Sequence, residues 1–595
     1  MQVVDDQTKA RLKKELVVRQ KEAVAFGQQA DDHIEKLLIR RINRLTAVRR
    51  FVLLWSLLFV ALFFATFIQF RNLSRYYQIF RPVAGGIYNE GVIGTFTNAN
   101  PLYSTGAADT AVSRLVFSGL FKYDAQNHLV GDLASSWNYG KDETQYIVHL
   151  KPGLRWQDGK PVTADDVVFT YKTIQNIEAQ SPLYSSWQGI SVSKVNNSTV
   201  SFDLPNPLSD FSYSLTNGII PVHLLGTIPP EQLRSAPFNT APIGTGPFQW
   251  KYVQVSGNTV ENREQRITMS ANKHYSGGRP KLDGFNIITF SDDTHLISSF
   301  TSKQLNAMSG LEMTPAELAG DSTVQSYATP LSSEVMAFFN NSHPILNDVN
   351  VRKALVSSVD RSQINSLSNY PLKVADEPLL KTQLGYDPTQ PELPYNLAYA
   401  NQVLDQAGWV RGPNGYRTKD GKPLQFDLVS QDTHDYVVTA NFLQKQWSKL
   451  GVKIIFQAYS SDDLQSKTIA NHSYDILLYG ISIGADPDVY AYWDSSQVSI
   501  TSQGHLNLSE YKSTIADQAL EAARTRSDNA LRVVKYKAFL GAWRSDAPAL
   551  ALYQPNYLYI SRGPVFNFEH SSLNNTADRF YNVNEWMVRQ KKQTL

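Results

Sequence analysis

The 595-residue chain has no cysteine. That excludes disulfide staples, thiolate metal sites, cysteine nucleophiles and lipid attachment through an N-terminal cysteine. It also lacks an HExxH stretch and a GxxxxGK[ST] phosphate loop, and its 11 histidines are scattered. No metal site and no cofactor is therefore readable. No repeat of 20–50 residues and no long low-complexity linker is present. Net charge is low as well, only +2. Residues 1–50 hold 12 Lys+Arg against 7 Asp+Glu, which leaves 44 against 47 for the rest. The large remainder is mildly acidic, which argues against a nucleic-acid partner.

What the chain does have is length, enough for several cores, and a globular balance of 42% hydrophobic and 18% charged residues. It also has one long apolar run. Phe51 to Phe70 reads FVLLWSLLFVALFFATFIQF, 20 residues without a charge. About 20 helical residues cross a hydrocarbon core of about 30 Å. Arg40, Arg41, Arg44, Arg49 and Arg50 crowd its N-terminal side, while Arg71, Arg75 and Arg81 follow it. The positive-inside tendency puts residues 1–50 in the cytoplasm and the bulk outside, extracellular or periplasmic. The competing reading is a cleaved signal peptide. The run exceeds an ordinary signal core, and RNLSRYYQIFRP has bulky residues where cleavage needs small ones, so a retained anchor in the lipid bilayer is expected. Ile34, Leu38, Ile42 and Leu45 recur at helical spacing, which suits either an amphipathic helix on the inner leaflet or a solvated helix entering the span.

From about Ala84 the texture is that of strands, turns and helices. TQYIVHLKPGLRW alternates, with Tyr146, Val148 and Leu150 on one side, as a half-buried strand does. In QDGKPVTADDVVFTY, Asp158-Gly159 forms a turn, and Thr163-Ala-Asp-Asp166 matches a capping box ahead of a helix. Every polar residue there has a local structural task, so this conspicuous stretch reads as scaffold. PIGTGPFQW is a glycine turn entering a strand, and LAYANQVLDQAGWV is a helix stopped by Gly408. GKPLQFDLVS, VKIIFQAYS and YDILLYGIS are strands separated by helical stretches, a pattern that predicts α/β lobes with largely parallel sheets.

The stretches RLVFSGLFKYD, LVGDLASSWNYGKDETQYIVHLKPGLRWQDGKPVTADDVVFTY, PIGTGPF, DVNVRKALVSSVDR, VLDQAGWVRGPNGYRTKDGKPLQFDL, ADPDVY and RVVKYKAFLGAWRSDAPALALY follow in that order. Together, over about residues 86–560, the chain resembles the family 5 extracellular solute-binding proteins, the oligopeptide, dipeptide and nickel group. The resemblance implies an α/β, two-lobed, type II periplasmic-binding-protein-like fold with an extra subdomain, here preceded by a single transmembrane helix. The first 80 residues lie outside the resemblance; with the apolar run they give a cytoplasmic tail 1–50, a span 51–70 and a linker 71–84. The resemblance divides the rest into lobe I from 85–118 and 236–320, the extra subdomain 119–235, lobe II 321–535, and a return to lobe I at 536–595. It implies capture of a peptide between closing lobes and delivery to the permease subunits of an ABC importer, with their ATPases.

By the same resemblance Asp486, first acid of the Asp486-Pro487-Asp488 motif, pairs with a ligand's α-ammonium, with Asp488 beside it. The motif also suits a turn or helix cap. Thr97, Asn98 and Tyr103 sit in the first strand–loop, which borders the cleft in the family. Trp493 is a candidate pocket wall, though an aromatic at this spacing equally suits the core, and His434 in VSQDTHDYVV is a candidate ligand contact, though a loop histidine more often faces solvent. Dipeptide-binding relatives carry an arginine for the ligand carboxylate in that last loop. Here there is none, so longer peptides are expected over dipeptides. Nickel chelates are a lesser alternative, and a peptide-sensing or adhesion receptor reusing the fold is another. Gly480-Ile-Ser482-Ile-Gly484 is a formal G-x-S-x-G after a strand, the context of a hydrolase nucleophile. It would need an acid and a histidine, such as Asp494 with His505 or His570. Pro487 and the two nearby aspartates disfavour an activated serine, so no enzyme is expected.

Overall fold

The computed structural model describes residues 6–34, 49–76, 78–140, 142–259, 262–368, 370–498 and 506–594. Leu38, Ile42, Leu45 and His505 lie outside them. The chain forms two units, Met1–Arg81 with Gln590–Leu595, and Pro82–Arg589.

The smaller unit contains helices Asp6–Ile34 and Arg49–Tyr76. Within the second, Arg49–Asn72 is long and apolar enough to cross a membrane, and none of it is buried against protein. Phe59, Phe63 and Phe70 stand fully out from it. Strand Gln78–Val83 follows and pairs with the C-terminal strand Arg589–Thr594.

The larger unit is built on three main sheets. A seven-stranded sheet runs, in spatial order, through Val324–Pro330, Asn556–Arg562, Ala307–Ser309, Ile87–Ile93, Gly284–Phe290, Glu264–Ala271 and Phe248–Ser256. A six-stranded sheet runs through Lys373–Val374, Ala549–Gln554, Ser333–Phe339, Ile476–Ser482, Gln425–Gln431 and Lys453–Tyr459. A four-stranded antiparallel sheet, from Ala134–Tyr139, Gln145–Leu150, Thr199–Asp203 and Ser191–Asn196, supplies the extra subdomain. The chain passes from the seven-stranded to the six-stranded sheet between Pro330 and Ser333, and back between Gln554 and Asn556.

The expected largely parallel sheets are in fact mixed. Ile87–Ile93 is parallel to both of its neighbours, and Gln425–Gln431 to both of its own. The strands that carry the chain between lobes are antiparallel to theirs. Passing out of a lobe and straight back reverses strand direction without a crossover helix.

The central strands of the large sheets are buried along their length, as in GFNIITF at 284–290, where every residue is buried, whereas edge strands such as Phe248–Ser256 and Lys453–Tyr459 are largely exposed. Alternation still sorts residues within a strand. Val335, Ala337 and Phe339 enter one core with Leu428 and Trp447, while Met336 and Phe338 enter another with Leu477, Trp493 and Trp543. A third core joins Tyr88, Phe248 and Phe285 of the seven-stranded sheet to Tyr171, Trp187 and Phe202 of the subdomain. Glu90, fully buried in that sheet, holds Arg579 of the C-terminal return through Nε at 3.1 Å and Nη2 at 2.5 Å.

The conspicuous 152–171 stretch is scaffold. Thr163 and Asp166 form the capping box of helix Ala164–Ile174. Gln157 accepts from the Gly244 amide at 3.0 Å and donates to the Phe248 carbonyl at 2.8 Å, tying this turn to the PIGTGPF segment. A Cβ on Gly244 would lie 2.0 Å from the Val116 carbonyl oxygen, so backbone approach forces glycine there.

Candidate ligand-binding site

The subdomain and the six-stranded lobe meet along a seam. Ser209 donates its amide to the Arg524 carbonyl at 2.8 Å, and Ser527 donates its amide to Glu143 Oε2 at 3.0 Å. At the other end, Glu312, in the loop after strand Ala307–Ser309, accepts from the His434 amide at 3.0 Å, and Tyr370 donates its hydroxyl to the Glu312 carbonyl at 2.6 Å. The lobes are thus closed on each other at both ends.

At the first of these ends lies a cluster of charges from four elements. Asp486 Oδ1 accepts from Arg532 Nη2 at 2.6 Å, and Asp488 Oδ2 pairs with Arg524 Nη2 at 3.1 Å. Both aspartates come from the turn after strand Ile476–Ser482. The arginines come from helices Thr514–Arg524 and Asn529–Asp546, which pack against it. The Arg524 guanidinium also stacks on the Tyr490 ring at 4.3 Å. Asp210 faces the group from the subdomain. Burial, then Asp488 and Asp486, push its carboxyl up to about 7. Its Oδ1 is buried without a hydrogen-bond partner. Tyr123 and Tyr213, stacked at 6.3 Å, continue the seam toward Arg114, which is paired with Asp578 at 2.8 Å.

Two cavities share Ser186, and one of them reaches the cluster at Arg524. One, of about 410 Å³, is lined by Thr110, Arg114, Phe117, Trp187 and Asn217. The other, of about 420 Å³, lies between the 204–208 loop and Tyr490, Glu521 and Arg524. Each is within the size range of a small-molecule pocket.

The other expected residues fall elsewhere. Thr97 donates its amide and hydroxyl to Asp109, both at 2.7 Å, and the Asn98 amide joins them at 3.1 Å, so these two fix the first loop. Tyr103 is buried, its hydroxyl unpartnered and raised by burial to about 12. Trp493 does not wall a pocket. It is wholly buried between Phe338 and Trp543, because the short helix Tyr490–Trp493 turns its last side chain into the core. His434 is the exposed first residue of helix His434–Leu450 and lines a separate cavity of about 290 Å³ with Glu312 and Tyr370. Ser482 ends its strand, and its carbonyl accepts from the Tyr492 hydroxyl at 2.7 Å. Asp494 is engaged by the Ser496 and His570 packs on Phe568 and Tyr581, so neither is joined to that serine. Asp210, Arg524 and Arg532 were not read from the sequence. Arg532 stands 46 positions from Asp486, and no local pattern announces such a pairing.

Two lobes linked by two crossing strands, with charged groups gathered at their seam, define a type II periplasmic-binding-protein fold. The chain belongs to the bacterial extracellular solute-binding proteins, family 5, whose middle-region description matches residues 128–501. It is a solute-binding protein. The oligopeptide-binding protein AppA of Bacillus subtilis is 29% identical over 511 residues, covering 82% of this chain and 92% of AppA. The structure of that AppA with a nonapeptide superposes with a TM-score of 0.67 at 27% identity, covering 86% of this chain and all of AppA. NikZ from Campylobacter jejuni in complex with Ni(L-His) gives 0.70 at 26% identity, covering 84% and 99% of the two chains.

Proposed function

We propose that this protein captures peptides longer than dipeptides in the seam between its lobes and delivers them to the permease of an ABC importer, tethered outside the cell membrane by helix Arg49–Tyr76. The observation that carries this is the charge balance of the seam. Arg114, Arg524 and Arg532 are each paired with an aspartate, so their charge is spent internally. That fits the absence of an arginine from VSQDTHDYVV and leaves a ligand's carboxyl end without a fixed clamp. Without such a clamp, ligand length is not set by a distance between two charges, and affinity rests on main-chain hydrogen bonds common to all peptides. Likeness to AppA, solved with a nonapeptide, supports the same reading. No group of three His, Cys, Asp or Glu side chains is arranged to hold a metal among the described residues. The lobe limits proposed here are drawn at the strand crossings, 330–333 and 554–556, in place of 321 and 536, and the 119–235 subdomain is kept.

Calorimetric titration of the detergent-solubilised chain with alanine peptides of two to nine residues tests this. The dipeptide is expected to bind at least about tenfold more weakly than the longer ones, a difference of about 1.4 kcal/mol. Equal affinity for the dipeptide, or none for any peptide, would contradict it.

A further inference from the structure

The positive-inside tendency leaves the outer flank of a membrane span poor in cations, yet Arg71, Arg75 and Arg81 all follow the apolar run. The far end of the chain adds more. Strand Arg589–Thr594 pairs with Gln78–Val83, so Lys591 and Lys592 join the same two-stranded ribbon as Arg81. Residues 71–83 and 586–595 hold six cations, Arg71, Arg75, Arg81, Arg589, Lys591 and Lys592, and no acid.

The ribbon begins close to the end of the apolar segment. That segment ends at Asn72 and its helix at Tyr76. Four helical residues rise about 6 Å, less than the screening length of about 8 Å at physiological salt. Arg81, Lys591 and Lys592 are exposed, and among the described residues none of them is paired with a carboxylate. Successive strand residues alternate, so Phe80 and Arg81 take opposite faces of the ribbon, as do Lys591 and Lys592. Lys592 Nζ lies 5.5 Å from the centre of the Phe80 ring, which puts these two on one face across the pair. Phe80 is itself 58% exposed. An exposed ring with an ammonium over it, just past a span, suits a membrane interface, where rings sit among headgroups and long cationic side chains reach phosphates.

Resting on the anchored reading above, we propose that this ribbon is a lipid-binding surface. Arg81, Lys591 and Lys592 hold the phosphates of anionic phospholipids in the outer leaflet, and Phe80 sits among the headgroups. Charge and place both select that occupant. No acid in either strand neutralises the cations, and the segment just before them carries the chain out of the same leaflet. Neither strand alone gathers these charges; pairing the two ends of the chain makes the surface. The chain leaves the ribbon for the larger unit at Pro82 and returns to it from Arg589. A lipid-held ribbon therefore tethers the larger unit by both of its ends, where a lone linker would hold it by one.

Because the chain has no cysteine, a fluorophore on Gln590→Cys reports the ribbon in the full chain in lipid nanodiscs. A lipid with a nitroxide on its headgroup quenches the dye when the ribbon lies on the surface. Quenching is expected to be at least about twofold stronger in discs with about one third phosphatidylglycerol than in pure phosphatidylcholine. That excess is expected to shrink as salt rises from about 0.1 M to about 1 M, because screening shortens the reach of the cations. It is expected to vanish when Arg81→Gln, Lys591→Gln and Lys592→Gln are combined. The lipid and salt comparisons keep these three side chains unaltered, so they stand whatever the triple variant does to folding. Equal quenching in the two lipids, or an excess kept in the triple variant, overturns the lipid role of the ribbon and leaves the anchor in place. A chain that enters no disc and stays soluble without detergent overturns the anchored reading, and the role of the ribbon falls with it.

Discussion

At the residue scale, the charges of the seam are organised in pairs, and a pair behaves unlike either member. Asp486 and Arg532 are both nearly buried and bonded at 2.6 Å. Removing one partner strands a buried charge, which costs about 3–5 kcal/mol, whereas removing both is far milder. Asp486→Ala should therefore lower the thermal midpoint sharply and weaken peptide binding. Asp486→Ala with Arg532→Met should recover most of the stability. Calorimetric unfolding of the three proteins measures this, and additive losses in the double variant would show that the two side chains do not act as a pair. The Asp-Pro-Asp motif was legible in the sequence, but its partners were not. A pairing across 46 positions depends on how two helices pack, which no residue spacing encodes. Trp493, open between pocket and core in the sequence, is core in the structure. An aromatic after a turn serves core or pocket equally well until the helix direction is known.

At the element scale, local pattern was the better guide. Thr163 with Asp166 marked the start of helix Ala164–Ile174, and Gly408 at φ +84° ends the helix that runs to Gln406. Helix His434–Leu450 shows where local reading stops. Its N-cap Thr433 makes no side-chain cap. Glu312 supplies one across the seam instead, accepting from the first amide at 3.0 Å where the helix dipole is positive. The cap exists only when the lobes are together, so Glu312 stabilises closure rather than the helix alone. Glu312→Ala is expected to cost closure about 1 kcal/mol, weakening peptide affinity about fivefold, with little change in unfolding temperature. An unchanged affinity by titration would remove Glu312 from the closing mechanism.

At the scale of the whole molecule, the two-lobe plan was legible because so many short stretches keep the family's order along the chain. The crossings at 330–333 and 554–556 were less so. The expected lobe limits at 321 and 536 fall short of them, since a strand's lobe is set by its ladder partners and not by its own composition. Sheet polarity was misjudged on the same ground. The apolar helix was plain from composition alone, and none of its apolar window is buried.

The central claim is that closing lobes trap a peptide between them and leave its bonds intact. Mass spectrometry of the material released when the full chain, extracted from its own cell membranes, is denatured tests this most directly. Intact oligopeptides of mixed sequence and several lengths, all with free amino ends, are the predicted result. A chain that releases no peptide, and that cleaves peptides supplied to it, would contradict the account.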